Sequence, residues 1–460
     1  MKQRASREWA TLKKCLASDE LAFDNPTLQE HARDKWFASA LPEAVALPRN
    51  VNSVSTILAF ANKRGIPVTA RGAGHGYVGG CVPVRGGIAL SLARLNQIKE
   101  INRRDFVAVV GAGVITKTLQ DAVEKQRLFY PPDPASRADC SLGGNIATNA
   151  GGPRCLKYGV TRDYVLGLEV VLADGSIVSL GGRTHKNKTG FELARLFVGS
   201  EGMLGIVTQA TLKLLPLPPQ RACLSIGFGS MKSALRTIDA IFSAGFLPSA
   251  LEVADSFTLA AAQKRTGSKQ LAGCRAHLIT EIDGQEAAVR ADLRSLEKTV
   301  RLHSPLFVRK AIGAAPCESI WQLRREFSYS LRDTGLTKLN QDIVVPRGKL
   351  AELFRFTAGL QKRHKIQIAC FGHAGDGNIH VNVMVDESSP GSLKHSEVVL
   401  NELFKGVLAL GGAITGEHGI GLAKKPWWNL ATSPETRQLH ARIKQALDPA
   451  GILNPGKFVD

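Results

Sequence analysis

The sequence predicts an α+β protein with two main domains. Three observations support this fold class. Short β-like segments separated by glycine-containing turns follow one another between residues 66 and 214, and amphipathic helices alternate with single strands after residue 219. The stretch LPLPP at residues 215–219 separates the two regions. Because proline restricts the backbone, this stretch favours a domain boundary near residue 218.

The elements follow in order along the chain. Residues 1–41 are charged and weakly periodic, which predicts a short helical arm ending near Pro42 and Pro48. The hydrophobic pattern then predicts a helix at 54–64, strands at 66–71, 88–92, 107–110, 165–172, 177–180 and 205–214, and helices at 231–244 and 285–300. The predicted domains are the arm (1–41), a first domain (42–218), a second domain (219–412) and a C-terminal segment (413–460).

Composition excludes several classes of protein. Hydrophobic residues make up 44% and charged residues 22% of the 460 residues, which excludes a mostly disordered chain. No segment approaches ~18 uninterrupted apolar residues and no signal peptide is visible, so we expect a cytoplasmic protein, with peripheral association at the inner membrane face left open. The eight cysteines form no C-x-x-C motif, which disfavours a zinc ribbon or an iron–sulfur cluster and favours isolated buried thiols.

The chain is basic, with 59 Lys and Arg against 40 Asp and Glu and a net charge of +19. This charge allows a nucleic-acid-binding protein as a rival interpretation. The basic residues are dispersed, however, with no run of five and no interleaved aromatic residues. A solvated basic surface that docks an acidic redox partner is the simpler interpretation.

Three glycine-rich segments in the first domain predict a cofactor site. The segment RGAGHGYVGG at residues 71–80 follows a predicted strand, so its backbone N–H groups could surround a phosphate, with Arg71 adding a positive charge. The segments at 140–152 (CSLGGNIATNAGG) and 197–208 (FVGSEGMLGIVT) are also rich in small residues, which suits a large ring system and its diphosphate. The first loop is not the Rossmann fingerprint, because Tyr77 stands where the third glycine belongs. Taken alone, this loop could equally be a flexible hairpin tip.

Two further segments predict a metal site. In FGHAGDGNIHVN at residues 371–382, a two-residue turn at Asp376 and Gly377 would place His373 directly opposite His380, with Cβ atoms ~4.5 to 5.5 Å apart. The segment GGAITGEHGIG at 411–421 places Glu417 beside His418. Two imidazoles and one carboxylate leave coordination positions open, as in catalytic metal sites. The alternative for either segment alone is a set of surface histidines in turns.

Together these motifs resemble the FAD-binding domain of the vanillyl-alcohol-oxidase-type flavoproteins. The chain is most similar to the branch that contains D-2-hydroxyglutarate dehydrogenase, D-lactate dehydrogenase and the glycolate oxidase FAD subunit. The resemblance spans residues 42–460 and implies a two-subdomain FAD-binding domain of the PCMH type, followed by a ferredoxin-like α+β substrate (cap) domain that carries the metal-ligand hairpin. The C-terminal segment would return to the FAD domain.

The resemblance also implies the residues that contact FAD. They are Arg71, Gly72, Ala73, Gly74, His75, Gly76, Gly79, Gly80, Pro132, Asp133, Ser141, Gly143, Gly144, Asn145, Thr148, Asn149, Glu201, Gly202, Ile206 and Asn454. His75 departs from the branch, in which a small polar residue such as Thr is usual. A histidine near this position links FAD covalently in several members of the wider superfamily, so His75 is a candidate for such a bond, with a simple phosphate or backbone contact as the alternative.

The second domain would carry the substrate chemistry. The resemblance implies that His373, His380 and Glu417 bind Zn²⁺ or Mn²⁺, that His418 is the base and that Asn382 is a nearby polar contact. In WQLRREFS at residues 321–328, Arg324 and Ser328 would lie on one helix face and bind a carboxylate, although a surface Arg is the alternative. Asn340 stands where 2-hydroxyglutarate enzymes carry a Lys, so the resemblance does not extend to a second carboxylate.

These residues predict FAD-dependent oxidation of a small D-2-hydroxy acid, of the lactate, glycolate or 2-hydroxyglutarate type, to the 2-oxo acid. A hydride would pass to flavin N5 with assistance from the metal. The alternative is a polyol or sugar oxidase with histidyl-linked FAD. The branch often passes its electrons to an iron–sulfur subunit, an electron-transfer flavoprotein or a quinone, so we expect a redox partner.

Overall fold

The computed structural model describes residues 6–459. Numbered along the chain, the strands are β1 (Leu21–Ala22), β2 (Ala44–Ala46), β3 (Val68–Arg71), β4 (Ile88–Ser91), β5 (Ile98–Asn102), β6 (Val107–Gly111), β7 (Leu128–Phe129), β8 (Val165–Val171), β9 (Ile177–Gly181), β10 (Ile206–Lys213), β11 (Leu215–Pro216), β12 (Gln220–Phe228), β13 (Ala250–Asp255), β14 (Ala276–Gly284), β15 (Phe307–Ile312), β16 (Thr337–Val344), β17 (Gln367–His373) and β18 (Asn378–Val385). The α-helices are α1 (Ser6–Lys14), α2 (Asn25–Glu30), α3 (Val51–Arg64), α4 (Thr116–Glu124), α5 (Leu142–Thr148), α6 (Cys155–Tyr158), α7 (Leu193–Phe197), α8 (Met231–Ser243), α9 (Ser256–Thr266), α10 (Glu286–Arg301), α11 (Ala314–Arg332), α12 (Leu350–His364), α13 (Ser392–Ala409), α14 (Lys425–Ala431) and α15 (Pro434–Leu447). The predicted α+β class is confirmed.

The chain divides into two compact units. The first comprises the described chain up to residue 150, residues 160–217 and the chain from residue 417 onward. The second comprises residues 151–159 and 218–416. The chain therefore passes from one unit to the other four times.

The first unit contains two main sheets. In the four-stranded sheet, with strand order β1-β2-β4-β3, β4 runs parallel to both β2 and β3. The five-stranded sheet, with order β5-β6-β10-β8-β9, is antiparallel. The N-terminal segment contains more than the predicted helical arm, because β1 pairs with β2 and extends the first sheet.

Capping residues explain two differences between predicted and observed helices. Helix α3 begins at Val51, three residues before the predicted start at residue 54, because the Asn50 side chain accepts a hydrogen bond from the N–H of Ser53. Helix α5 forms within the glycine-rich segment 140–152, where glycine disfavours a helix. The Ser141 side chain caps its first turn, and Asn149 ends it in the left-handed conformation.

The second unit is built on one antiparallel sheet of seven strands. The strand order is β15-β12-β14-β13-β17-β18-β16. Helix α11 packs on this sheet, with Phe327 and Leu331 buried against Phe371 and Met384. The helix thereby places its residues 324 and 328 over the strands that carry the two histidines.

The hairpin of β17 and β18 has a different register from the predicted one. His373 pairs with Asn378 and Phe371 pairs with His380, so four residues (374–377) form the turn. The expected direct pairing of His373 with His380 is therefore wrong. The two histidines are diagonal neighbours on the same sheet face, and their ring centroids lie 5.6 Å apart.

Residues 151–159 form a short segment of the second unit, and ion pairs connect this segment to strand β14. Arg154 Nη2 lies 2.9 Å from Glu281 Oε1, and Trp321 Nε1 donates to the other oxygen of this carboxylate at 2.7 Å. Lys157 pairs with Asp283, which also accepts a hydrogen bond from the Tyr158 hydroxyl at 2.9 Å. Because Glu281 is fully buried, Arg154 supplies the counter-charge that this carboxylate requires.

All eight cysteines are free thiols. Four of them, Cys140, Cys223, Cys317 and Cys370, are buried as expected, while Cys15 is exposed and the rest are intermediate. Among the helices of residues 6–459, none is both long enough and apolar enough to cross a membrane.

Candidate functional site

A cavity in the first unit lies beside the first glycine-rich loop. Its volume is about 260 Å³, and it is lined by Gly72, Ala73, Ala93, Asn96, Gly113, Ile115, Thr118 and Ser141. The loop follows β3 directly and packs against the start of α5, where a Cβ atom on Gly72 would lie 2.4 Å from Ser141 Oγ. Only glycine allows this close approach, so the loop backbone itself forms one wall of the cavity.

Arg71 lies within the predicted cofactor loop and stabilises it. Its Nη1 atom donates a hydrogen bond to the carbonyl oxygen of Arg33 at 2.7 Å and lies 3.3 Å from Cys81 Sγ. A Cβ atom on Gly74, where φ is +72°, would lie 2.1 Å from the same guanidinium. The N–H of Lys35 donates to the carbonyl oxygen of Gly76 at 3.0 Å. The N-terminal segment thus supports the loop, a role that sequence analysis did not assign to it.

Glu201 anchors the loop that carries His418. Its buried carboxylate accepts hydrogen bonds from the N–H groups of Ile420 at 2.7 Å and Gly421 at 2.8 Å. Burial raises the pKa of Glu201, and these two donors oppose that effect. The side-chain amide of Asn454 donates to the carbonyl oxygens of Gly80 and Glu201, at 3.0 and 2.7 Å. The Asn454 side chain therefore connects the backbones of predicted cofactor residues from two other parts of the chain.

Most other predicted cofactor residues lie on or near α5. Asn145 is buried and donates to Thr116 Oγ1 at 2.7 Å, and Thr148 donates to the carbonyl oxygen of Gly144 at 3.2 Å. Pro132 and Asp133 follow β7, and the carbonyl oxygen of Pro132 accepts from Gln120 Nε2 at 2.9 Å. The structure therefore gives Asn145 and Thr148 structural contacts, whereas Ser141 lines the cavity.

Two histidines of the first unit differ in their surroundings. His75 is partly exposed in the first loop, and burial lowers its pKa, while the charge of Asp139 opposes this effect. His418 stacks at an angle beside Tyr77, with ring centroids 5.3 Å apart. Its Nε2 lies 3.9 Å from Glu417 Oε1. His418 thus has an aromatic neighbour that holds its ring and a carboxylate nearby.

In the second unit, Glu252 joins a predicted metal ligand to the predicted carboxylate-binding residue. Its Oε1 lies 2.6 Å from His373 Nδ1, and its Oε2 accepts from Arg324 Nε at 2.6 Å. Burial alone would raise the pKa of Glu252, but His373 and Arg324 lower it to about 2. The carboxylate is therefore ionised and accepts the Nδ1 proton, which leaves the Nε2 lone pair of His373 available for a metal.

The predicted metal ligands form one group. The ligand atoms of His373, His380 and Glu417 all lie within 4.8 Å of one another. Glu417 follows directly on Gly416, whose N–H donates to Asp342 Oδ2 at 3.0 Å. Asp342 pairs across the sheet with His380, so this hydrogen bond connects residue 416 to the strand next to the hairpin. Two imidazole nitrogens and a carboxylate oxygen suit Zn²⁺ or Mn²⁺ and leave positions for a substrate oxygen.

Helix α11 places its two predicted residues on the same sheet face. The guanidinium of Arg324 lies over Phe371, 4.9 Å from the ring centroid. Ser328, one turn later, accepts a hydrogen bond from Lys338 Nζ at 2.8 Å. Asn382 is fully buried and donates to the carbonyl oxygens of Ala369 and His380, at 3.1 and 3.0 Å. The expected helical spacing of Arg324 and Ser328 is thus observed.

Sequence analysis missed Glu252, Asp342 and Lys338 as members of this group. Glu252 lies inside the apolar run ALEVA, and Asp342 directly precedes the apolar run IVV. A carboxylate within or next to such a run is a signal, because a buried charge requires a partner. Lys338 gives no comparable signal in the sequence.

Comparison with known proteins identifies the family. Residues 217–458 match the family described as FAD linked oxidases, C-terminal domain, and residues 42–181 match the FAD binding domain. The chain belongs to the FAD-linked oxidases. This match confirms the predicted family, and the glycine-lined cavity of the first unit suits its cofactor because bare backbone can approach a diphosphate closely.

Several relatives define the branch of FAD-linked oxidases. The chain is 38% identical to glycolate oxidase subunit GlcD of Bacillus subtilis, over 91% of this chain and 89% of the relative. It is 38% identical to D-lactate dehydrogenase of Archaeoglobus fulgidus, over 90% of this chain and 91% of the relative. D-lactate dehydrogenase of Anaerostipes hadrus is 33% identical, over 97% and 94%. The chain is therefore an FAD-dependent oxidoreductase of the predicted D-lactate dehydrogenase and glycolate oxidase branch.

Two solved structures share the fold. p-Cresol methylhydroxylase superimposes with a TM-score of 0.79 at 18% identity, covering 99% of this chain and 97% of the other. 4-Ethylphenol oxidase from Gulosibacter chungangensis gives 0.77 at 21% identity, covering 99% and 97%. At these identities the similarity concerns the fold alone, and it agrees with the predicted PCMH-type architecture.

Proposed function

We propose that this FAD-linked oxidase oxidises a small D-2-hydroxy acid to the corresponding 2-oxo acid. The observation that carries the proposal is the Glu252 bridge. One buried carboxylate contacts both a metal-ligand candidate, His373, and a carboxylate-binding candidate, Arg324. A 2-hydroxy acid presents a hydroxyl group and a carboxylate on adjacent carbons, so it offers one group to each side of this bridge. The names of the relatives, D-lactate dehydrogenase and glycolate oxidase subunit, agree with this substrate class.

Each residue has a defined role in the proposed reaction. Arg324 binds the substrate carboxylate through the guanidinium nitrogens that Glu252 leaves open, and Ser328 donates a hydrogen bond to the same group. His418 accepts the proton of the C2 hydroxyl group. Glu252 keeps the proton of His373 on Nδ1, so that Nε2 points its lone pair toward the metal position.

The two bound groups supply the remaining chemistry. FAD, held by the loop at residues 71–80 and by α5, would take up the hydride of C2. A divalent cation held by His373, His380 and Glu417 would lower the pKa of the substrate hydroxyl group. Asn382, buried on the same sheet face as His380, would restrict the position of the substrate.

A substrate panel tests the proposed reaction. The purified yellow protein is mixed anaerobically with D-lactate, L-lactate, glycolate, D-2-hydroxyglutarate, glycerol or sorbitol, and flavin bleaching is followed at about 450 nm. We expect rapid bleaching with at least one D-2-hydroxy acid and none with the neutral polyols. Reduction by a polyol and by no hydroxy acid would contradict the proposal and favour a polyol oxidase.

We also propose that His75 is the attachment point if the flavin is covalently bound. His75 stands in the loop of glycines, partly exposed, and burial lowers its pKa, so a neutral imidazole is available as a nucleophile. Acid precipitation should leave the yellow colour with the polypeptide, and His75→Ala should release it into the supernatant. Release of flavin from the wild-type protein would show that His75 is a non-covalent contact.

A further inference from the structure

We propose that Lys338 determines substrate specificity, because its ammonium group and the Ser328 hydroxyl together form a subsite for the substrate carboxylate. No role for Lys338 follows from the family motifs. The inference rests on the proposed function and deepens it, since it concerns how the site distinguishes hydroxy acids from neutral alcohols. It starts from the contact of Lys338 Nζ with Ser328 Oγ at 2.8 Å and with the carbonyl oxygen of Ser328 at 3.4 Å.

The sheet places Lys338 on the face of the candidate site. Lys338, Asn340 and Asp342 alternate along β16, so their side chains share one face. Across the ladder, Asn340 pairs with Asn382 and Asp342 pairs with His380. Lys338 therefore belongs to the same row of side chains as a metal-ligand candidate and a substrate-contact candidate.

The two cations beside Ser328 differ in their counter-charges. Arg324, one helical turn before Ser328, is already bonded to the carboxylate of Glu252. Lys338 makes no ion pair with a carboxylate in the part of the chain that the structure describes, although it is partly buried. Burial and the nearby charge of Arg332 lower the pKa of Lys338 to about 8, so the group is still mainly charged at pH 7. A partly buried cation without a counter-charge favours an anionic ligand.

The hydrogen-bond roles point to a carboxylate. An ammonium group has three donors and no acceptor, so Ser328 Oγ must accept from Lys338. The proton of the Ser328 hydroxyl is then free to donate to a ligand. The Lys338 ammonium group and the Ser328 hydroxyl can thus both donate to one ligand, and the positive charge favours the oxygens of a carboxylate over the hydroxyl groups of a neutral polyol.

Lys338→Met tests this subsite in the FAD-loaded enzyme. Met keeps the length of the side chain and removes its charge, and because the partners of Lys338 are the uncharged oxygens of Ser328, the change leaves no buried carboxylate unpaired. With D-lactate or another hydroxy acid that reduces the wild-type enzyme, we expect KM to rise roughly 10- to 100-fold and kcat to change less than about threefold, as for loss of a charge-assisted hydrogen bond in substrate binding. With the neutral amide of the same acid, kcat/KM should stay unchanged, and Lys338→Arg should restore much of the affinity for the acid.

Lys349→Met is the matched control. Lys349 is an exposed lysine of the same unit that pairs with Glu352. Its replacement should change neither KM nor kcat. Flavin content and thermal midpoint establish that each variant is folded. An unchanged KM for the acid in Lys338→Met, or an equal loss for the acid and its amide, would overturn the inference while the proposed function stands. A wild-type enzyme that no hydroxy acid reduces would overturn both.

Discussion

Among single residues, Glu252 has the most consequential position. It is ionised, almost fully buried and shared by His373 and Arg324. Its hydrogen bonds fix the tautomer of one side chain and the orientation of the other, so the proposed metal-binding and substrate-binding roles depend on the same carboxylate. A neutral side chain of the same shape at this position should disturb both.

Glu252→Gln should weaken metal binding about 10- to 100-fold, the usual effect of losing a group that orients a metal-binding histidine. The measurement is calorimetric titration of the chelator-treated holoprotein with Zn²⁺ or Mn²⁺. Glu281→Gln is the matched control, because Glu281 is equally buried in the same sheet but contacts Arg154 and Trp321. Equal metal affinity in the two variants would show that Glu252 has no such role.

His418→Ala should keep FAD bound and slow its reduction by the hydroxy acid at least about 100-fold, because the substrate proton then lacks an acceptor. Stopped-flow bleaching of the flavin measures this rate. His185→Ala, a change at an exposed histidine of the same unit, should leave the rate unchanged. Near-normal bleaching of the His418→Ala enzyme would exclude His418 as the base.

The sequence allowed some of these residues to be predicted and not others. His373, His380, Glu417 and His418 stand in glycine-flanked segments whose residue types indicate metal and proton chemistry. Glu252 lies 121 positions before His373, and only the pairing of β13 with β17 makes them neighbours. Contacts of this kind depend on sheet order, which a single sequence does not reveal.

Among the elements, the β17–β18 hairpin shows how a turn assignment alters a site. Asp376 and Gly377 favour a two-residue turn, yet four residues form the observed one. The observed register changes the partner of His380 from His373 to Phe371. Because Phe371 and His373 are two residues apart in β17, their side chains lie on the same sheet face. His373 and His380 therefore still share one face. The two histidines are thus neighbours despite the incorrect register, and the shared metal position stays a prediction.

Helix α5 packs against Ala112, the residue that follows β6, through a glycine contact that can be tested. A Cβ atom on Gly143 would lie 2.7 Å from Ala112 Cβ and 2.9 Å from the Ala112 carbonyl oxygen. Gly143→Ala should displace α5 from the loop at residues 71–80. Overpacking of this kind costs about 1–3 kcal/mol. If the bound state bears this cost, FAD affinity should fall roughly 5- to 100-fold.

The ratio of flavin absorbance to protein absorbance in the purified variant measures this loss. Gly182→Ala is the control, since a Cβ atom there meets nothing within 4 Å. Full flavin content in Gly143→Ala would mean that the α5 contact does not shape the cofactor site.

At the scale of the whole molecule, one passage between the two units lies between residues 217 and 218, and the predicted domain boundaries stay predictions. The additional crossing at residues 151–159 was not predicted. Nothing in its composition distinguishes it from a loop of the first unit, and its polar partners in the second unit lie more than 120 positions away in the sequence.

The net charge of +19 predicts how the reduced enzyme transfers its electrons. We expect slow reoxidation by oxygen and faster reoxidation by an acidic protein carrier such as a ferredoxin or flavodoxin. Because exposed charges are screened beyond ~8 Å at physiological ionic strength, the rate with the acidic carrier should fall as salt is raised. Stopped-flow reoxidation at about 20 to 500 mM NaCl measures this dependence. Over this range the Debye screening length falls from about 20 to about 4 Å.

An uncharged quinone serves as the control acceptor, and its rate should not depend on salt. Rapid turnover with oxygen alone, together with no effect of salt on the acidic carrier, would identify a self-sufficient oxidase.

The segment at residues 151–159 limits how this protein can be dissected or recombined. A fragment beginning at residue 218 would lack Arg154 and Lys157, so Glu281 would be a buried anion without its principal cation. Such a fragment should fold poorly unless a peptide of residues 151–159 is added in trans. For the same reason, residues 218–416 cannot be exchanged between homologues unless residues 151–159 are exchanged with them. Chimaeras should therefore inherit both pieces from one parent.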